Sequence, residues 1–130
     1  MTRLAYVDTS ALVKLVADEP DSAEMLQWYV LAERVVISRV GIVETNRAAA
    51  RGAFDPDHLR FVLDSIEVVE LGPGIAGRAA GVGPASLRAL DAIHLATALE
   101  LGSGLGDFVT YDPRLADAAR AAGLAVVSPA

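Results

Sequence analysis

The chain has no cysteine, a single lysine, few aromatic residues and no long uninterrupted apolar run. Each absence closes a class of function. Without cysteine there is no disulfide framework, zinc-thiolate site or thiol nucleophile, and nothing ties the chain to an oxidising compartment. Mean hydropathy is high, at +0.40, yet no stretch approaches the roughly 18 uncharged residues that a membrane helix requires. The segment from Met1 to Val7 is too short for a signal peptide and runs straight into an apolar stretch, so a cytoplasmic protein is expected. Basic charge is scarce too: 11 Lys plus Arg face 17 Asp plus Glu, a net charge of −6. That excludes a basic, sequence-independent nucleic-acid coat, but not an enzyme that handles nucleic acid through metal ions. What remains is 130 residues, 53% of them hydrophobic, enough for one domain over residues 1–130 with its own core. Apolar content this high points to a protein partner as well as a core.

Short apolar runs at Leu4–Val7, Val35–Ser38, Ile66–Leu71, Phe108–Thr110 and Ala125–Val127 have the length of buried strands. Between them, Ser22–Glu33, Val40–Arg51 and Leu90–Leu101 carry helical periodicity or helix-rich composition. Alternating strands and helices predict an α/β fold, a three-layer α/β/α sandwich on a mostly parallel sheet of about five strands. The glycine-dense patches, Gly72–Gly83 and Gly102–Gly106, are expected to lie between elements.

Ligands of open α/β sheets gather at the carboxyl ends of strands, and two acids stand there: Asp8 after the first run and Asp112 after the fourth. Two more, Glu44 and Asp91, sit in apolar helical surroundings, where an ionised carboxylate is costly unless something pairs with it. Each has a structural explanation. Asp8 and Asp112 would cap the helices that follow, Asp112 with Pro113 at the first helical position. Glu44 would pair with Arg47, and Asp91 would sit at the positive end of its helix. If instead all four converge, two carboxylates about 4 Å apart repel by roughly 4 kcal/mol at an effective dielectric near 20, and a divalent cation relieves the conflict. An oxygen-only donor set favours Mg²⁺ or Mn²⁺ over Zn²⁺, and such cages serve phosphoryl chemistry.

Asp8-Thr9-Ser10-Ala11-Leu12 after an N-terminal strand, helical Val43-Glu44, Asp91-Ala92-Ile93-His94-Leu95-Ala96 opening a helix, and Val109-Thr110-Tyr111-Asp112 at a strand end resemble the PIN domain. More narrowly, they are similar to the VapC-type toxins of bacterial toxin-antitoxin pairs. The resemblance runs from Ala5 to Val127, with the acids in family order. It implies a Mg²⁺-dependent endoribonuclease in which Asp8 and Asp91 are the principal metal ligands and Asp112 a further one. Glu44 would orient and help deprotonate the attacking water, and cleavage would leave a 5′-phosphate and a 3′-hydroxyl. Ser10 and Thr110 would hold a carboxylate or a water. Asp107 also flanks the last internal strand; the family pattern assigns the role to Asp112 and leaves Asp107 at the end of the Gly102–Gly106 loop. The resemblance further implies a VapB-type antitoxin and a homodimer, with Met25, Leu26, Tyr29 and Val30, or Val40, Ala48 and Ala49, as candidate contacts if they are not core. A PIN nuclease of RNA processing or DNA repair without an antitoxin, and a non-cleaving PIN scaffold, are the alternatives.

Other signals carry less. Gly72-Pro73-Gly74-Ile75-Ala76-Gly77 matches a dinucleotide fingerprint, but Gly81, Gly83 and Pro84 break the helix that fingerprint needs. A phosphoacceptor receiver domain would need a late lysine, and the only lysine is Lys14. His94, one turn after Asp91, reads as a packed histidine with no acid-base partner in view. His58 opens a polar helix, and Trp28 and Tyr29 read as core or interface. Between Arg34 and Arg51 there are four arginines and one acid. Arg47 and Arg51 share a helical face with Glu44 and are candidates to hold the RNA backbone.

Overall fold

A computed structural model describes residues 3–130. Five parallel strands form one sheet: β1 (Leu4–Val7), β2 (Arg34–Ser38), β3 (Glu67–Val69), β4 (Leu105–Val109) and β5 (Ala125–Val127), in the order β3-β2-β1-β4-β5. Parallel pairing needs crossovers, and helices supply them: α1 (Thr9–Val16), α2 (Ser22–Leu31), α3 (Arg39–Arg51), α4 (Pro56–Ser65), α5 (Pro73–Gly81), α6 (Ala89–Glu100) and α7 (Pro113–Ala121). None of these helices is long and apolar enough to cross a membrane.

Strand alternation splits the core in two. Val7, Val35, Ile37 and Val109 point to one face, where they pack with Leu12 and Leu15 of α1, Met25 of α2 and Val62 of α4. Tyr6, Val36 and Phe108 point to the other and pack with Leu95 of α6 and Leu115 of α7. The Tyr6 and Phe108 rings stack with centroids 5.4 Å apart. Burial on both faces is what makes these strands read as continuous apolar runs, and the result is the expected α/β/α layering, with the sheet entirely parallel.

Three expectations need correction. β4 begins at Leu105 rather than Phe108, so Gly106 is a strand residue and only Gly102–Gly104 forms a short 3₁₀ turn. A Cβ at Gly106 would meet the guanidinium end of the exposed Arg3 side chain, which is free to move aside, so packing does not demand a glycine inside the strand. The Gly72–Gly83 patch contains α5, a nine-residue helix with no buried residue, where packing makes little demand on side chains. The third strand is also shorter than its apolar run, ending at Val69.

The strand order places β1 beside β4, and from that pair the chain winds outward in opposite directions. A crevice opens at the carboxyl ends of strands at such a reversal. Asp8 follows β1 directly and Asp112 lies three residues beyond β4.

Candidate active site

Asp8 caps α1, its Oδ1 accepting from the Ala11 amide at 3.0 Å. Hydroxyls take up the rest of the carboxylate: Ser10 donates to Oδ1 at 2.7 Å and Thr110 to Oδ2 at 2.6 Å. Asp112 caps α7, its Oδ1 accepting from the Arg114 and Leu115 amides at 2.9 and 3.4 Å. Capping and site membership are therefore compatible, because at Asp112 the cap occupies one oxygen and leaves the other. Asp91 lies in the first turn of α6, half-buried and with no hydrogen-bond partner among the described residues. Glu44 stands on α3, where Thr9 Oγ1 donates to its Oε1 at 2.6 Å and His94 Nε2 lies 2.8 Å from the same oxygen. All four acids line one cavity of about 350 Å³, together with Thr9, Ser10, Arg88 and His94.

Their protonation is set in different directions. Burial pushes the Asp8 carboxyl above its ordinary value in spite of the bonds from Thr110 and Ser10. Burial also raises Asp91, and the Asp112 charge raises it further. At Glu44 burial again pushes up, but the His94 and Thr9 hydrogen bonds outweigh it and hold the carboxyl below the usual range.

The sequence predicts His94 as a packed histidine without a partner; it is packed, but Tyr6, Glu44 and, at 3.2 Å from Nε2, the Thr9 hydroxyl all lie within hydrogen-bond distance of its ring nitrogens. The ring is 1% exposed, with Nδ1 2.6 Å from the Tyr6 hydroxyl and Nε2 on Glu44. Tyr6 already accepts from the Ser38 amide at 3.1 Å, and burial holds its pKa well above the usual value, so its one proton is free to donate. That proton goes to Nδ1, which leaves Nε2 as the protonated nitrogen of the neutral ring, donating to Glu44. A strand backbone amide thus fixes a tyrosine, the tyrosine fixes an imidazole tautomer, and the imidazole fixes a carboxylate. The signal available in sequence was the i+3 spacing from Asp91; the partners come from β1 and α3.

The arginines are rearranged relative to expectation. Arg34 and Arg39 pair with Glu67 and Glu70 at the surface, so the basic run between 34 and 51 is partly neutralised. Arg47 does not pair with Glu44; it and Arg51 are exposed on α3, outside the lining of the acid cavity. Arg88, which no sequence pattern singled out, does line it. Asp107 sits within β4 and lines a separate hollow of about 280 Å³ with Arg3, Leu4 and Arg34, at the amino ends of the strands.

The donor set suits a hard divalent cation: it is all oxygen, Asp91 lacks any protein partner among the described residues, and the neighbouring carboxylates add to burial in pushing the Asp91 pKa up. Among the described residues no three acid or histidine side chains close into a ready coordination sphere; the four carboxylates share the lining of one cavity.

A family model described as the PIN domain matches residues 5–121. The chain belongs to the PIN-domain family. Within it, this PIN chain falls in the VapC-type branch: it is 39% identical over 132 residues to Ribonuclease VapC47 of Mycobacterium tuberculosis, covering 97% of each chain. The solved structure of VapC20 from Mycobacterium tuberculosis, described as a sarcin-ricin loop cleaving toxin, matches with a TM-score of 0.74 at 17% identity, over 96% of this chain and 99% of that one. A toxin-antitoxin complex from Klebsiella pneumoniae matches with a TM-score of 0.72 at 24% identity, over 97% and 98%. At these identities the two structures establish a shared fold.

Proposed function

We propose that this PIN-domain protein is a Mg²⁺-dependent endoribonuclease, the toxin of a toxin-antitoxin pair in the cytoplasm. The observation that carries the proposal is the convergence of Asp8, Glu44, Asp91 and Asp112 from four elements on one cavity, in a chain 39% identical to a protein named a ribonuclease. Asp8, Asp91 and Asp112 are the residues that hold the cation, Mg²⁺ or Mn²⁺ in its place. When bound, the ion supplies electrophilic assistance and charge neutralisation to phosphodiester hydrolysis.

The chain's own residues do the rest. Ser10 and Thr110 hold both oxygens of Asp8 in place. Glu44, kept ionised by His94 and Thr9, accepts a proton from the attacking water. The water oxygen bonds to phosphorus as the phosphorus–O3′ bond breaks, and the departing O3′ takes a proton from solvent, leaving a 5′-phosphate and a 3′-hydroxyl. Arg47 and Arg51, exposed and unpaired among the described residues, hold the RNA backbone beyond the acid cavity.

A VapB-type antitoxin and a second copy of the chain are the proposed protein partners. Exposed Leu26, Val30 and Leu31 on α2 and Phe61 on α4 support such contacts. Met25, fully buried, and Tyr29, packed against the core, are structural instead. The test is to incubate purified protein with a mixed RNA pool, with Mg²⁺ or with EDTA, beside an Asp8→Asn variant. Cleavage is expected only in the wild-type Mg²⁺ sample; cleavage that persists in EDTA or in the variant refutes the mechanism.

A further inference from the structure

A second hollow, a groove of about 950 Å³, opens beside the acid cavity between the segment that leads into α6 and the start of α7. Arg88, Asp91 and Asp112 line both, so the two are continuous. Pro84 and Leu87 give the groove an apolar floor, while Arg88 and Arg114 stand at the starts of α6 and α7. Neither guanidinium forms an ion pair among the described residues, whereas Arg34, Arg39, Arg78 and Arg120 all do. The one other acid lining the groove, Asp117, is paired with Arg120. Two free guanidinium forks over an apolar floor suit a ligand that carries phosphates and flat, uncharged faces together. The groove's volume lies at the upper end of the roughly 300–1,000 Å³ that encloses a small ligand, which is room for a run of chain as well as for a compact molecule.

We infer that this groove holds the single-stranded RNA flanking the scissile bond. Arg88 and Arg114 each grip a backbone phosphate, and a base lies against Pro84 and Leu87. The inference rests on the ribonuclease reading and assigns its substrate path: the acids act at one end, and the arginines bind beyond them. Because both arginines are exposed, removing them leaves the core untouched.

The experiment measures binding of a short fluorescein-labelled single-stranded RNA of mixed sequence by anisotropy, in EDTA and across a salt series. Wild type is compared with Arg88→Ala, Arg114→Ala and the double variant, with Arg78→Ala as a surface control. Each single change is expected to weaken binding about three- to fivefold and to lower the salt slope by about 0.7. The double variant should combine both losses, and Arg78→Ala should match wild type. A double variant that binds and cleaves RNA as wild type does overturns the groove assignment and leaves the ribonuclease reading standing. Loss of binding to a co-expressed antitoxin, with RNA affinity unchanged, also overturns it and gives the groove to a protein segment. Absence of cleavage by wild type with Mg²⁺ is a separate readout, and it removes the ribonuclease reading itself.

Discussion

Replacing His94 by Leu separates the positioning of Glu44 from its presence. The ring is fully enclosed and bridges Tyr6 and Glu44 at 2.6 and 2.8 Å. Leucine fills most of the space but accepts nothing from Tyr6, whose hydroxyl proton is then stranded in the core. An unsatisfied buried donor costs about 1–3 kcal/mol, and a chain of this size loses roughly 4 °C of Tm per kcal/mol. Glu44 meanwhile keeps only Thr9 as a donor. Burial, which already pushes its carboxyl up, is no longer outweighed, so its pKa rises and the acid limb of the rate profile moves to higher pH. Loss of a partner that orients a site carboxylate lowers kcat by about 10- to 100-fold.

The assay is RNA cleavage at saturating Mg²⁺ across pH, beside thermal unfolding of the same samples. His94→Gln offers an amide donor to Glu44 and is expected to recover rate more than stability. A folded Leu variant with wild-type kcat and an unmoved acid limb would show that the chain from Tyr6 to Glu44 has no part in the chemistry.

Three further outcomes follow from the same geometry. Asp8→Asn should abolish cleavage yet stabilise the metal-free protein at neutral pH by about 1 kcal/mol, since buried charge is being removed. Because burial holds the folded Asp8 pKa above that of a free aspartate, the folded state holds that proton more tightly. Wild-type stability in EDTA should therefore rise as pH falls through the folded pKa toward the unfolded one, and Asp8→Asn should flatten this slope in a Tm series. Adding Mg²⁺ should raise wild-type Tm by about 2.7 kcal/mol worth of stability at 100 times Kd, and leave Asp8→Asn nearly unmoved in a thermal shift assay. Gly41→Ala should cost about 1–3 kcal/mol in a denaturant melt, because its Cβ would collide with the buried Ile37 side chain and come 3.1 Å from His94 Cε1.

Strand positions were legible because each central strand is buried on both faces and therefore unbroken by charge. The ends were less so: Leu105 joins β4 by pairing with Leu4 of β1, about a hundred positions away, and Gly106 follows it where the register of that pairing shifts. The acids were legible in kind, since Asp8 follows an apolar run directly, Asp112 follows one closely, and Glu44 and Asp91 interrupt apolar helices. What those side chains bond to was not. Glu44 had Arg47 within helical reach, yet the fold brought it Thr9 and His94 from other elements. Arg88 and Arg114 were not legible because they stand alone in sequence, whereas the denser arginine run at 34–51 is partly neutralised by Glu67 and Glu70.

If Asp8 and Asp112 hold the cation as proposed, their second duty as helix caps bears on how activity is lost. A cap requires an acceptor oxygen, which asparagine retains; metal chemistry requires the negative charge, which it does not. At Asp8 the neighbouring Thr110 hydroxyl can turn from donor to acceptor and meet the new amide. A single-step change at either position therefore yields a silent copy with its helices, groove and partner surfaces intact. Such a copy would still occupy RNA and an antitoxin, and so would compete with active molecules in the same cell.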